Sequence, residues 1–110
     1  MTDLEQQMKD VLSAERCSVL LKALADPGRL RLIQALRDRP RSVSDLAKLL
    51  DNEIGNISHH LKVLRRQKMV TSRRDGKAVI YSLSEDVFSS QDKKTDRLDL
   101  GCCRLEIPKK

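Results

Sequence analysis

The chain has 110 residues, a net charge of +6, 39% hydrophobic residues and 2% aromatic residues, with no Trp, one Tyr and one Phe. That is enough chain for one small, aliphatic core, and too little for a large enzyme with an enclosed substrate cleft. No apolar run is long enough to span a bilayer, no apolar signal segment opens the chain, and three cysteines make an odd count for a secreted disulfide framework. The expected setting is the reducing cytoplasm, away from membranes.

Thr2 and Glu5 fit a capping box, and Leu4, Met8, Val11, Ala14, Cys17, Leu21 and Leu24 recur at helical spacing. One long helix or two abutting ones are expected from about Asp3 to Ala25. Asp26-Pro27 restarts the chain, because Asp caps and Pro is tolerated at the first helical position. A second helix then runs to about Arg37, burying Leu32, Ile33 and Leu36. Pro40 breaks the pattern. Ser42 caps a short third helix whose apolar stripe is Val43, Leu46, Ala47 and Leu50. Asp51 and Asn52 make a turn into a fourth helix, from about Glu53 to Gln67. Its inward positions are Ile54, Ile57, Leu61 and Leu64, which leaves Asn56, His59, Lys62 and Arg66 outward.

The periodicity then changes. Met69 to Arg74 and Lys77 to Leu83 read as two strands, and Asp75-Gly76 between them reads as a type I′ hairpin turn. A fifth helix could start at Ser84 and run through Phe88. The polar stretch Ser89 to Asp96 reads as a loop or linker. Arg97 to Ile107 alternates and is expected to be extended. The domain expectation is a body over residues 1–88 and a polar, cysteine-containing tail over 89–110.

Charge is concentrated rather than spread. Between Ile54 and Lys77 lie Lys62, Arg65, Arg66, Lys68, Arg73, Arg74 and Lys77 against Asp75 alone. The whole positive excess sits there, and the rest of the chain is balanced. Such a patch is the footprint of a polyanion binder or, more plainly, a solvated face. The order of elements resolves this. A helix, a short helix, a tight turn, a basic amphipathic helix and a hairpin make a winged helix-turn-helix, mostly α with a small β-hairpin. The basic helix fits the DNA major groove and offers its first turns to base edges. Asn56, Ser58 and His59 carry donor and acceptor chemistry suited to bases or nearby phosphates. Lys62 and Arg66 meet phosphates further along, and Arg73, Arg74 and Lys77 lie around the hairpin.

The stretches Leu21-Lys22-Ala23-Leu24-Ala25-Asp26-Pro27, Arg29-Leu30, Asp45-Leu46-Ala47, Ile57-Ser58-His59-His60-Leu61-Lys62-Val63-Leu64 and Gly76-Lys77-Ala78-Val79-Ile80-Tyr81-Ser82-Leu83 resemble the ArsR/SmtB family of bacterial metal-responsive repressors. The resemblance covers about Val19 to Leu83. It implies a homodimer, held by its first and last helices, on double-stranded operator DNA with inverted symmetry. It also implies repression relieved by an inducer, and DNA contacts from Asn56, Ser58 and His59. Two positions depart from the family pattern. Glu53 stands where the family usually has a capping Ser, a role open to Asn52, and Gly55 weakens the helix by about 1 kcal/mol relative to Ala.

The family's Cys-x-Cys before Asp-Leu-Ala is Ser42-Val43-Ser44 here, and hydroxyls are poor ligands for soft metals. His59 and His60 are adjacent on one helix and do not chelate together. The remaining sulfurs are Cys17, Cys102 and Cys103. Three thiolates suit As(III), Sb(III) or a soft divalent metal as inducer, with no resident cofactor required. Redox or reactive-sulfur sensing, with Cys17 pairing to a tail cysteine, is the alternative, as is no sensing role at all. No phosphate loop, metal-protease motif or nucleophile motif supports an enzyme. The stronger rival is a ligand-independent DNA-binding or protein-interaction module.

Overall fold

The computed structural model describes residues 3–85, 88–89, 95–100 and 103–108. Its elements in chain order are α1 (Asp3–Leu24), α2 (Pro27–Asp38), β1 (Arg41–Ser42), α3 (Val43–Leu49), α4 (Ile54–Arg66), β2 (Val70–Asp75), β3 (Ala78–Leu83), β4 (Phe88–Ser89), β5 (Thr95–Asp99) and β6 (Arg104–Pro108). The chain divides into two compact units. One is Ala23–Glu85, and the other joins Met1–Lys22 to Asp86–Lys110. Among the described residues, no helix is long and apolar enough to cross a membrane.

In the Ala23–Glu85 unit, sequence signals become capping contacts. The Asp26 carboxylate accepts the Arg29 backbone N–H at 3.0 Å, with Pro27 opening α2 behind it. The Ser42 hydroxyl accepts the Asp45 N–H at 3.1 Å and starts α3. The C-terminal ends of α3 and α4 share one device. After α3, Asp51 takes the left-handed conformation (φ 48°), and the Asn52 and Asp51 N–H groups return to the carbonyls of Ala47 and Lys48. After α4, Lys68 does the same (φ 61°), with Met69 and Lys68 returning to Leu64 and Arg65. Both are Schellman closures made without the usual Gly. The first aims α4 and the second launches the hairpin.

The core between these elements is aliphatic, as the composition requires. Leu32, Leu46, Leu61, Leu64 and Met69 have no exposed surface, and Ile57 is nearly as deep. One expectation fails here. Ile54 does not join this inward stripe but is 56% exposed at the open start of α4.

The sheet of this unit runs β1-β3-β2, antiparallel throughout. β1 is an addition, with Arg41 and Ser42 pairing Tyr81 and Ile80. In the hairpin, Asp75 pairs with Ala78, so the two turn residues are Gly76 and Lys77 rather than Asp75 and Gly76. Only Gly76 has positive φ (63°), which is the type II′ pattern and not the expected type I′.

In the other unit, α1 is one continuous helix, with Cys17 and Leu20 buried. Thr2, the expected cap, lies outside the described residues. The expected fifth helix is corrected to strand: Phe88–Ser89 pairs with Leu98 and Arg97. β5 pairs in turn with β6, giving an antiparallel sheet of order β4-β5-β6. A two-residue strand separated from its partner in sequence leaves little periodic signal, whereas a helix can be read locally. Leu98 and Leu100 are buried, and Arg97 pairs with Glu106 across the strands at 3.3 Å. The last described element is therefore a strand, not the last helix that the family resemblance implies.

Candidate nucleic-acid interface and thiol cluster

The polar face of α4 follows from its period. With Ile57, Leu61 and Leu64 buried, Asn56, His59, Lys62 and Arg66 are all exposed, and Ser58 is half-buried at the edge of the face. Arg65 and Lys68 are exposed beside them. On the hairpin, Arg73, Arg74 and Lys77 are exposed. Arg73 and Arg74 are successive strand residues, so they point to opposite faces of the ribbon. The hairpin thus offers positive charge on both sides, with Lys77 in the turn between them.

The start of α4 is organised by Asn52. Glu53 is the N-cap residue, but its side chain makes no capping bond. Instead the Asn52 Oδ1 accepts the Glu53 backbone N–H at 2.8 Å and an Asn56 Nδ2–H at 3.1 Å. This fixes which way the Asn56 amide faces. One of its two N–H donors is used, leaving one donor and the carbonyl acceptor. Those two groups together match the N7 acceptor and N6 donor of adenine. Sequence reasoning gave Asn52 only a capping role; its i, i+4 spacing to Asn56 was the available signal for the second contact.

His60 turns inward from the same helix, with its side chain 19% exposed. Its Nδ1 lies 3.4 Å from an Arg29 guanidinium nitrogen and 3.8 Å from the Asp26 carboxylate. Its ring is 5.8 Å from that of His59. Arg29 also donates from Nε to the Ala23 carbonyl. The Arg29 backbone N–H, then the Arg29 and His60 charges, hold the Asp26 carboxyl below its ordinary value of 3.8, against an upward pull from partial desolvation. His60 is therefore part of the mount of α4 and not of its exposed face.

The second cluster is sulfur. Cys17, 7% exposed on α1, is disulfide-bonded, while Cys103 keeps a free thiol. Their sulfurs are 3.1 Å apart. Cys102 lies outside the described residues. The structure therefore brings together two of the three cysteines singled out in the sequence, although they are 86 residues apart. Among the described residues, no group of three or more His, Cys, Asp and Glu is placed to hold a metal ion. A sulfur engaged in a disulfide is not a thiolate ligand, so this arrangement suits a soft ion only after reduction.

Three helices ending in a polar α4, followed by a charged hairpin, define a winged helix-turn-helix protein. The family model for bacterial regulatory proteins of the arsR family matches residues 26–72. A transcriptional repressor SmtB homolog of Synechocystis is 41% identical over 73 residues, which is 66% of this chain and 55% of the relative. The structure of reduced HlyU from Vibrio cholerae is 35% identical with a TM-score of 0.65, covering 73% of this chain and 82% of that one. That of the transcriptional repressor BigR from Xylella fastidiosa is 31% identical with a TM-score of 0.62, covering 78% and 84%. The chain belongs to the ArsR family of bacterial regulatory proteins, known also as ArsR/SmtB. It spans little more than half the length of the SmtB homolog it matches.

Proposed function

We propose that the chain is a sequence-specific transcriptional repressor that binds double-stranded operator DNA as a homodimer. The observation that carries this is the exposure of Asn56, His59, Lys62 and Arg66 on one face of α4, with Arg73, Arg74 and Lys77 on the hairpin beyond it. Asn56, Ser58 and His59 read bases or adjacent phosphates, and the five basic residues hold the backbone. Each such phosphate contact adds affinity without sequence information and steepens the salt dependence. Two relatives named as transcriptional repressors support the sign of the regulation.

The inducer acts on sulfur. In the fully reduced protein, thiolates of Cys17, Cys102 and Cys103 are the donor set for arsenite, antimonite or a soft divalent metal. The disulfide at Cys17 supports a second, redox reading. There a peroxide takes two electrons and two protons from two thiols, the sulfurs join, and two waters leave. In both readings the bond ties α1 to the C-terminal sheet, and the change in that unit alters operator affinity.

The test is fluorescence anisotropy of the reduced full chain on its upstream DNA, titrated with arsenite, cadmium, zinc and hydrogen peroxide. Release by one soft ion, lost in Cys17→Ser and in Cys102→Ser/Cys103→Ser, supports the trithiolate site. Release by peroxide alone supports the redox switch. DNA binding that none of these agents releases overturns sulfur sensing and leaves the repressor.

A further inference from the structure

Ile54 is an apolar, β-branched residue at the first position of α4, and the core does not claim it. The inward stripe is complete with Ile57, Leu61 and Leu64. More than half of Ile54 faces solvent, where a lone aliphatic group gains nothing. Its neighbour Gly55 is equally unexplained by packing, because a Cβ there would meet nothing within 4 Å. Its φ is not positive either, so no turn requires glycine. A bare Cα between Ile54 and Asn56 keeps the first turn of the helix slim. Ile54 and Asn56 also line one open concavity of about 790 Å³, together with Ser44 and Lys48 of α3.

We infer that Ile54 is a specificity-determining residue that packs on the C5-methyl group of a thymine in the major groove. The inference rests on α4 being the DNA-reading helix. In a helix-turn-helix, the N-terminal residues of the recognition helix are those that reach base edges. The thymine methyl is the one apolar feature of the unmodified major-groove edge. Next to it lie the adenine groups that match the free donor and acceptor of Asn56. Ile54 and Asn56 therefore form a matched pair, one apolar and one bidentate, for neighbouring A·T pairs. Gly55 lets that end of the helix come close enough for a methyl-to-methyl contact.

The experiment starts from duplexes selected by the full chain from a randomised pool. Each thymine is then replaced singly by deoxyuridine, which loses the methyl and keeps every hydrogen-bonding group. The expected result is about a fourfold rise in Kd at one thymine per half-site, the size of one methyl transfer. Ile54→Ala then binds the thymine and uracil duplexes equally, Ile54→Val keeps part of the difference, and both keep the salt slope of the parent. Indifference of the parent chain to every uracil overturns the inference, as does an Ile54→Ala variant with undiminished discrimination. A change of oligomeric state in Ile54→Ala, without loss of discrimination, makes Ile54 a subunit contact instead. If the pool yields no duplex, the DNA-binding reading itself fails, and this inference with it.

Discussion

The His60 Nε2 lies 2.9 Å from the point that a Cβ on Gly28 would occupy. Gly28 sits in the first turn of α2 and has no positive φ, so a close approach, not conformation, explains the glycine there. The imidazole of α4 rests on this bare stretch of α2 between Asp26 and Arg29. Ala at position 28 improves helix propensity by up to about 1 kcal/mol but drives the ring off its partners. Gly28→Ala is therefore expected to be neutral or destabilising in the parent chain, and less unfavourable in a His60→Ala background, where only the Asp26 carboxylate oxygen 3.1 Å away must give. Denaturant unfolding of the four proteins gives the coupling directly. Equal effects of Ala in both backgrounds would show that the ring does not depend on this contact.

Asp26 ties stability to pH. Its carboxyl is held below 3.8 in the fold, chiefly by the Arg29 backbone N–H and the Arg29 guanidinium. A depressed carboxyl stabilises the fold fully above its unfolded value, and that contribution fades as pH falls through the folded one. Asp26→Asn keeps a capping oxygen but cannot titrate. The variant is expected to be less stable than the parent at neutral pH, where the charge contributes, and to lose less stability than the parent as pH drops below 3.8, so that the two converge in acid. Thermal midpoints across an acid series check this, and parallel curves would contradict it.

Asn52 has two duties, and its removal should show both. Asn52→Ala frees the Glu53 N–H and unpins the Asn56 amide. A loss of about 1 kcal/mol in stability is the size of one such hydrogen bond. DNA discrimination should fall as well, while the salt slope stays constant, because no phosphate contact is touched. Asn52→Asp restores the acceptor and should recover the stability. If discrimination is unchanged in Asn52→Ala, Asn56 does not need this anchor.

The helix-turn-helix was legible because its signals are local. Asp26-Pro27, Ser42 and the stripe Ile57, Leu61, Leu64 act within a turn or two of the chain, and each is seen where expected. The failures have a different character. Ile54 fits the inward period but stands at the first position of α4, where it stays 56% exposed. The hairpin shifts by one residue because Asp75 pairs with Ala78, which moves the glycine to the first turn position. β4 depends on partners in β5 across a polar segment, and no local pattern announces such a pairing. The thiol contact is the longest-range feature, and it is not a failure. The cysteine inventory and the family resemblance already suggest that Cys17 meets the tail cysteines, and the fold places the Cys17 and Cys103 sulfurs together.

In the proposed complex, α4 and the hairpin grip DNA through named charges. The most direct test of this grip is the affinity of the full chain for operator DNA, measured by anisotropy over a range of salt, for the parent, Arg73→Ala and His59→Ala. Arg73→Ala is expected to weaken all duplexes alike and flatten the log–log salt slope by about 1. His59→Ala is expected to lower the preference for operator over unrelated DNA. An unchanged slope in Arg73→Ala would remove the hairpin from the interface. A parent chain with no preference among duplexes would contradict the assignment of α4 as the reading helix.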